Sequence, residues 1–160
     1  MYALIKAARL ASPILTWDDC QKVCLQALRW LHKRKGFLGM LNDGLPVHTL
    51  LSLYRAVFQV QWPHITLRRA FPRKPKSAKE FWSGMEKEAS LENQGMLIGI
   101  EGRRDHWSVV RKITDKTILL FDSNAMDRLH RSRCGYSEEQ NMDYLIGPRY
   151  VLLLRFEHQQ

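Results

Sequence analysis

The feature that most constrains the fold is the run of residues 105–123, DHWSVVRKITDKTILLFDS. Two stretches rich in β-branched and apolar residues, His106–Ile113 and Thr117–Asp122, flank a short polar turn. This pattern predicts an antiparallel β-hairpin. A hairpin brings the start of its first strand to the end of its second, so topology places His106 beside Asp122.

The register of this hairpin decides whether the two side chains share a face of the sheet. A two-residue loop at Asp115–Lys116 would pair Val109 with Asp122. His106 would then lie on the other face, because side chains alternate along a strand. A three-residue loop, or a bulge with the same effect, pairs Ser108 with Asp122. His106 is then a diagonal neighbour of Asp122 on the same face, with ~5–8 Å between the β-carbons of the two residues. We expect this second register.

An imidazole beside a carboxylate is a pair that general-base catalysis uses. The imidazole takes a proton from a thiol, while the carboxylate holds the correct tautomer and stabilises the imidazolium that forms. His106 and Asp122 are therefore candidate catalytic residues. A strand-edge histidine and an Asp-Ser turn also occur in proteins without catalysis, so the spacing alone leaves a structural role open.

Helices are predicted in the first half of the chain and antiparallel strands in the second. Tyr2–Leu10 is apolar apart from two cations, as is typical of a largely buried helix. Three further helices open with a capping residue or a first-turn proline, at Thr16, Pro46 and Ser77. Short apolar runs predict strands at His64–Leu67, Met96–Ile100 and Arg149–Phe156. This order predicts one α+β domain over residues 1–160, with N-terminal helices packed on a C-terminal antiparallel sheet.

The hairpin also carries a resemblance to a known family. A strand that begins His-Trp at His106 and a strand that ends Phe-Asp-Ser at residues 121–123 are similar to the second half of bacterial papain-like cysteine peptidases, including the bacteriocin-processing and other C39-like groups. The resemblance implies a papain-like fold, in which a buried helix packs on an antiparallel sheet. It implies the chain order cysteine, histidine, then aspartate or asparagine. It also implies thiol attack on an amide of a peptide or protein substrate, without a cofactor.

The nucleophile that this resemblance requires has several candidates. Cys20 lies in DDCQKVCL, which resembles the Asp-Cys-x-x-x-Cys-Leu run of the bacteriocin-processing peptidases. However, Gln21 stands where that family has glycine, and no glutamine precedes Cys20 to serve the oxyanion hole. Cys20 and Cys24 also fit the apolar face of a helix, where a thiol packs as a small hydrophobic residue.

Cys134 and a residue outside this chain are the remaining candidates for the nucleophile. Cys134 lies among arginines, which would lower the pKa of its thiol, but it follows the histidine and the aspartate, and an ordinary surface thiol is the simpler interpretation. In many relatives Cys-Gly stands directly before a buried helix similar to Tyr2–Ile5. That match favours a nucleophile upstream of Met1, or a domain that has lost it, so that catalysis in this chain is incomplete.

Charge and cysteine content define the remaining function classes. Part of the net charge of +9 lies at residues 68–79 and part at Arg128–Arg133. Binding of a polyanion or nucleic acid is therefore an alternative to peptidase activity. The same charge is also compatible with a basic surface that contacts only solvent. A non-catalytic binding module of the same fold is a further hypothesis. Three cysteines without a CxxC pair and no apolar run of bilayer length predict a cytoplasmic protein without disulfides, metal or membrane segment.

Overall fold

The computed structural model describes residues 1–34, 37, 44–102, 105–121, 126–137 and 140–157. The helices in these ranges are α1 (Tyr2–Ala11), α2 (Trp17–His32), α3, which joins Val47–Leu53 to Gln59–Gln61 through a π-helical turn at Tyr54–Phe58, and α4 (Ala78–Ala89). Within the same ranges, no helix is both long enough and apolar enough to cross a membrane.

The strands are β1 (Ile65–Arg69), β2 (Gln94–Gly102), β3 (His106–Ile113), β4 (Thr117–Phe121), β5 (Arg128–His130), β6 (Cys134–Gly135), β7 (Tyr144–Leu145) and β8 (Val151–Phe156). The main sheet has the order β1-β8-β2-β3-β4-β5, and its neighbouring strands are antiparallel. β7 pairs with the end of β2 and, in parallel, with β6. The predicted combination of helices with an antiparallel sheet is confirmed.

The starts of α2 and α4 follow from their capping residues. The Thr16 hydroxyl accepts a bond from the Asp19 N–H at 3.2 Å, and the Asp19 carboxylate accepts from the Thr16 N–H at 3.1 Å. At α4, Ser77 Oγ accepts from the Glu80 N–H at 3.2 Å. The Glu80 carboxylate accepts from the Lys76 N–H at 2.7 Å, in place of the reciprocal bond to the Ser77 N–H that would complete a capping box.

Helices cover both faces of the sheet. Leu97 and Val109 belong to a buried cluster with α1, α2 and α3, whereas Ile98 and Val110 belong to a second cluster with Phe81 of α4. β2 and β8 lie in the middle of the sheet and are buried along most of their length. Their continuous apolar runs, rather than an alternating pattern, are what two covered faces require.

The first helix lies directly on β2. A β-carbon at Gly95 would be 2.0 Å from the carbonyl oxygen of Ala7, so glycine is needed there for α1 to approach this closely. Leu4, Ala7 and Ala8 are fully buried. The prediction of a largely buried first helix is therefore confirmed, and α1 forms the centre of the first cluster.

Candidate functional site

The hairpin of β3 and β4 reaches its register through an irregularity. The Thr114 N–H donates to the Thr117 carbonyl at 2.8 Å, which closes a two-residue turn at Asp115–Lys116. A β-bulge between Val110 and Lys112 then shifts the pairing by one residue. A bulge increases local twist and redirects the side chains that follow it.

As a result of the bulge, Val109 pairs with Phe121, which is the register that the sequence predicted. Asp122, the next residue, lies outside the described residues. Its pairing with Ser108 and its contact with His106 therefore stay predictions.

His106 is half-buried at the first position of β3 and lines an open cleft of about 360 Å³. One wall of the cleft is Leu45–His48, the segment that leads into α3. The other wall is formed by the last residues of β2 and the first residues of β3. The Trp107 indole N–H donates to the Leu45 carbonyl at 2.7 Å and joins the two walls. A cleft of this volume matches the size of small-ligand and side-chain binding sites.

Tyr150 also lines this cleft. Its ring lies 6.1 Å from the Trp107 ring in an edge-to-face contact at 77°. A β-carbon at Gly99 would be 3.0 Å from Tyr150 Cβ, and one at Gly147 would be 3.2 Å from its ring, so two glycines leave room for this side chain. Burial, followed by the hydrogen bond and the charge of Glu101, raises the pKa of Tyr150. The phenol therefore stays neutral to a higher pH than a free tyrosine.

Strand alternation assigns His106 to one face of the sheet. It shares the face of Ser108 and Val110, and Val110 packs in the cluster with α4. Trp107 and Val109 pack on the opposite face, with α1. Alternation therefore assigns His106 to the α4 face, at the first position of β3, opposite the face that α1 covers.

Cys20 and His106 line different cavities. Cys20 is buried on α2 and contributes to an apolar cavity of about 440 Å³ with Met1, Trp17 and Cys24. Burial raises the pKa of the Cys20 thiol, and the nearby charge of Arg9 opposes this effect. A thiol in this position packs as a small hydrophobic residue and is mostly protonated near neutral pH.

Cys134 differs from its predicted character in two respects. It is buried rather than on the surface, and its Sγ contacts the His130 carbonyl at 3.3 Å. Burial raises its pKa to about 11, outweighing the lowering effect of Arg133 and Arg131. The predicted surface position of Cys134 is therefore wrong. The arginines do lower the pKa of the thiol, but desolvation of the thiolate costs more than their partly exposed charges return.

A second cavity, of about 510 Å³, adjoins the His106 cleft and shares Glu101 and Tyr150 with it. Its remaining wall includes Arg69, Arg73, Lys74 and Arg149. The sequence showed residues 68–79 only as a basic segment. Arg149 was placed in the last strand, but it lies in a 3₁₀ turn that Pro148 opens. No local pattern could have joined two segments separated by about half the chain.

Within the described residues, no group of three or more histidine, cysteine, aspartate or glutamate side chains is placed to hold a metal ion. Comparisons with protein-family models, curated proteins and solved structures found no match.

Proposed function

We propose that this chain is a papain-like domain of the cysteine-peptidase kind that binds a peptide in the cleft at His106, and that none of its own three cysteines attacks the bound peptide. The observation that carries the proposal is the position of the cleft. It lies where the helical part of the chain meets the ends of β2 and β3, with His106 at the first position of β3.

The chemistry of the cleft suits a peptide. Pro46, Trp107 and Tyr150 supply apolar and aromatic surface, while His48 and His106 supply ring nitrogens that can donate to or accept from a peptide group. Binding sites of this kind combine a mostly apolar wall with a few polar groups that fix orientation. The cleft is also open, so a chain segment can lie across it.

The positions of the cysteines argue for binding rather than hydrolysis. Thiolate, not thiol, is the attacking species, and burial raises the pKa of both Cys20 and Cys134. Cys24 is half-buried beside Met1, with its Sγ 3.9 Å from the Met1 sulfur, in the apolar cavity on α1 and α2. In the described lining of the His106 cleft there is no cysteine.

Alkylation kinetics test the cysteine part of this proposal. The native protein is treated with iodoacetamide near neutral pH, and modification of each cysteine is followed by peptide mass mapping in the wild type and in His106→Ala. We expect Cys20 and Cys134 to react slowly, with rates that His106→Ala leaves unchanged. One fast cysteine that slows about tenfold or more in His106→Ala would overturn the proposal, because it would identify an activated thiol–imidazole pair.

Nuclear magnetic resonance tests the peptide-binding part. The Trp107 indole N–H signal, assigned from its loss in Trp107→Phe, is followed during titration with a neutral, blocked peptide of alanine and glutamine. We expect a saturable shift of this signal, since Trp107 lies on the cleft wall. The indole signal of Trp17, which is 71% exposed and lies in the other cavity, is the internal control. A Trp107 signal that does not move at any peptide concentration would refute peptide binding.

A further inference from the structure

We propose that the cavity beside the His106 cleft, here called the cationic cavity, is a subsite for clustered acidic side chains of the bound peptide. This inference rests on the proposed function, since it assigns the sequence preference of the same bound segment. The cationic cavity is the one of about 510 Å³ whose wall includes Arg69, Arg73, Lys74 and Arg149.

Within the part of the chain that the structure describes, the basic side chains of the cationic cavity form no ion pair. Among the ion pairs between described residues, none includes Arg69, Arg73, Lys74 or Arg149. The acidic residue in the described lining is Glu101, so four cations minus one carboxylate leave a local charge of +3. Concave surfaces lined by one sign of charge concentrate the field and attract a ligand of opposite sign.

The arginines of the two charged segments that lie outside the cationic cavity differ from those inside it. Four arginines are ion-paired: Arg68 with Glu88, Arg128 with Asp127, Arg131 with Glu86, and Arg133 with Asp143. The unpaired cations of residues 68–79 therefore do not continue as a stripe over residues 128–133, where all three arginines are ion-paired. A localised site favours a compact group of two or three negative charges over a long polyelectrolyte, which requires a continuous track of cations.

The walls of the cationic cavity are held in place by packed rings. Phe71 lies 5.1 Å from Phe81 between ring centroids, and Phe81 stacks on Tyr136 at 5.4 Å. The Arg149 guanidinium lies 4.6 Å from the centroid of the Tyr150 ring, which restrains its position. An arginine restrained in this way loses less entropy when it forms paired hydrogen bonds to a carboxylate.

The ligand that we propose for the cationic cavity is part of the peptide in the His106 cleft, because the two cavities adjoin. Glu101 and Tyr150 line both, so a peptide that lies in the His106 cleft continues into the cationic cavity. The carboxylate of Glu101 repels an acidic residue at the boundary. Acidic side chains are therefore favoured further along the segment, among Arg69, Arg73 and Lys74.

Calorimetric titration with two blocked peptides tests the inference: Ala-Ala-Glu-Glu-Glu-Ala-Ala and its glutamine counterpart. We expect the glutamate peptide to bind about tenfold or more tightly at low salt, with the difference shrinking at high salt. Arg73→Gln/Lys74→Gln should remove most of this difference, because the variant weakens binding of the glutamate peptide much more than binding of the glutamine peptide. Arg55→Gln/Lys87→Gln removes the same charge at exposed positions outside the cavity and should change either affinity less than about twofold.

The outcomes separate this inference from the proposed function. Equal affinity of the two peptides, with the Trp107 indole shift retained, would overturn the acidic subsite and leave peptide binding intact. Absence of that shift with the glutamine peptide would overturn the proposed function. An oligothymidine single strand that binds more tightly than the glutamate peptide, and weakens in Arg73→Gln/Lys74→Gln, would overturn the inference in favour of nucleic acid.

Discussion

The indole N–H of Trp107 donates a 2.7 Å hydrogen bond to the carbonyl oxygen of Leu45 and so joins β3 to the segment that leads into α3. These two residues come from opposite walls of the His106 cleft. The bond therefore links the shape of the candidate site to the packing of the helical part on the sheet.

Trp107→Phe tests this link. The variant loses the donor and part of the buried ring, so the free energy of unfolding should fall by about 1–3 kcal/mol. Amide hydrogen exchange should also accelerate at Leu50 and Leu51, in the first turns of α3. Urea unfolding and exchange measured by mass spectrometry check both effects.

Trp30→Phe is the matched control for that variant. Trp30 is also partly buried in the first cluster, and among the described residues its indole N–H makes no hydrogen bond. Exchange in α3 should remain unchanged in this control. Equal acceleration in both variants would show that lost ring volume, not the bond to Leu45, explains the effect.

Gly95→Ala should be among the most damaging single-methyl changes in the chain. The added β-carbon would lie 2.0 Å from the Ala7 carbonyl oxygen, and backbone atoms cannot move aside as the end of a side chain can. We expect the unfolding free energy to fall by about 3 kcal/mol or more, since α1 must shift on β2.

Gly135→Ala provides the comparison, because its added β-carbon would meet the side chains of Gln140 and Met142 at 3.2 Å or more. These side chains can adjust, so the expected loss is about 1 kcal/mol or less. Thermal unfolding of both variants measures the difference. Similar melting temperatures would contradict the close contact between α1 and β2.

Tyr54→Phe tests how the π-helical turn is attached to the sheet. The buried Tyr54 hydroxyl donates to the Ile65 carbonyl, at the first residue of β1. Loss of this bond should lower the unfolding free energy by about 1–2 kcal/mol, because a buried carbonyl loses its donor. Tyr2→Phe, at a side chain that is 48% exposed, should have almost no effect in the same urea titration. An equal effect of both substitutions would rule out a contribution from the buried bond.

Cys134 should make stability depend on alkaline pH. Its pKa is raised from 9.0 to about 11 in the folded protein, so the unfolded chain loses this proton at a lower pH than the folded one. Stability is therefore complete below about pH 9 and falls as the pH rises towards 11, by about 1–3 kcal/mol for this group.

Cys134→Ser isolates that contribution, since serine does not titrate and its hydroxyl can still donate to the His130 carbonyl. Urea unfolding at about pH 7.5 and about pH 10.5 is compared for the wild type and the variant. The wild type should lose more unfolding free energy than Cys134→Ser when the pH rises from the lower to the higher value. Parallel losses would mean that the thiol is not desolvated in the fold.

Much of the secondary structure could be predicted, because it depends on local chemistry. Thr16 and Ser77 cap α2 and α4 as predicted, and β3 spans the predicted residues His106–Ile113. Strands of two or three residues, such as β6 and β7, were not predicted. They contain too few side chains for a period to be visible. β7 pairs with Glu101 and Gly102, where β2 extends past its pairing with β3 and β8, and β6 pairs with β7.

The candidate site was predictable only in part. His106 was found from its position at the start of a strand, and the hairpin register was predicted once a bulge was allowed. The cavity that contains Arg73 and Arg149 was not predicted, because its walls come from two distant segments. The burial of Cys134 was not predicted, since sequence proximity shows neighbouring charges but not desolvation.

The sequence by itself determined the helix starts, the hairpin and the buried character of the first helix and central strands. These features depend on periodicity and capping within a few residues. Tertiary structure decided which face of the sheet each helix covers, how deeply each cysteine is buried, and which basic side chains of the described residues form ion pairs. Those outcomes depend on desolvation and on contacts between residues far apart in the chain, which no local pattern encodes.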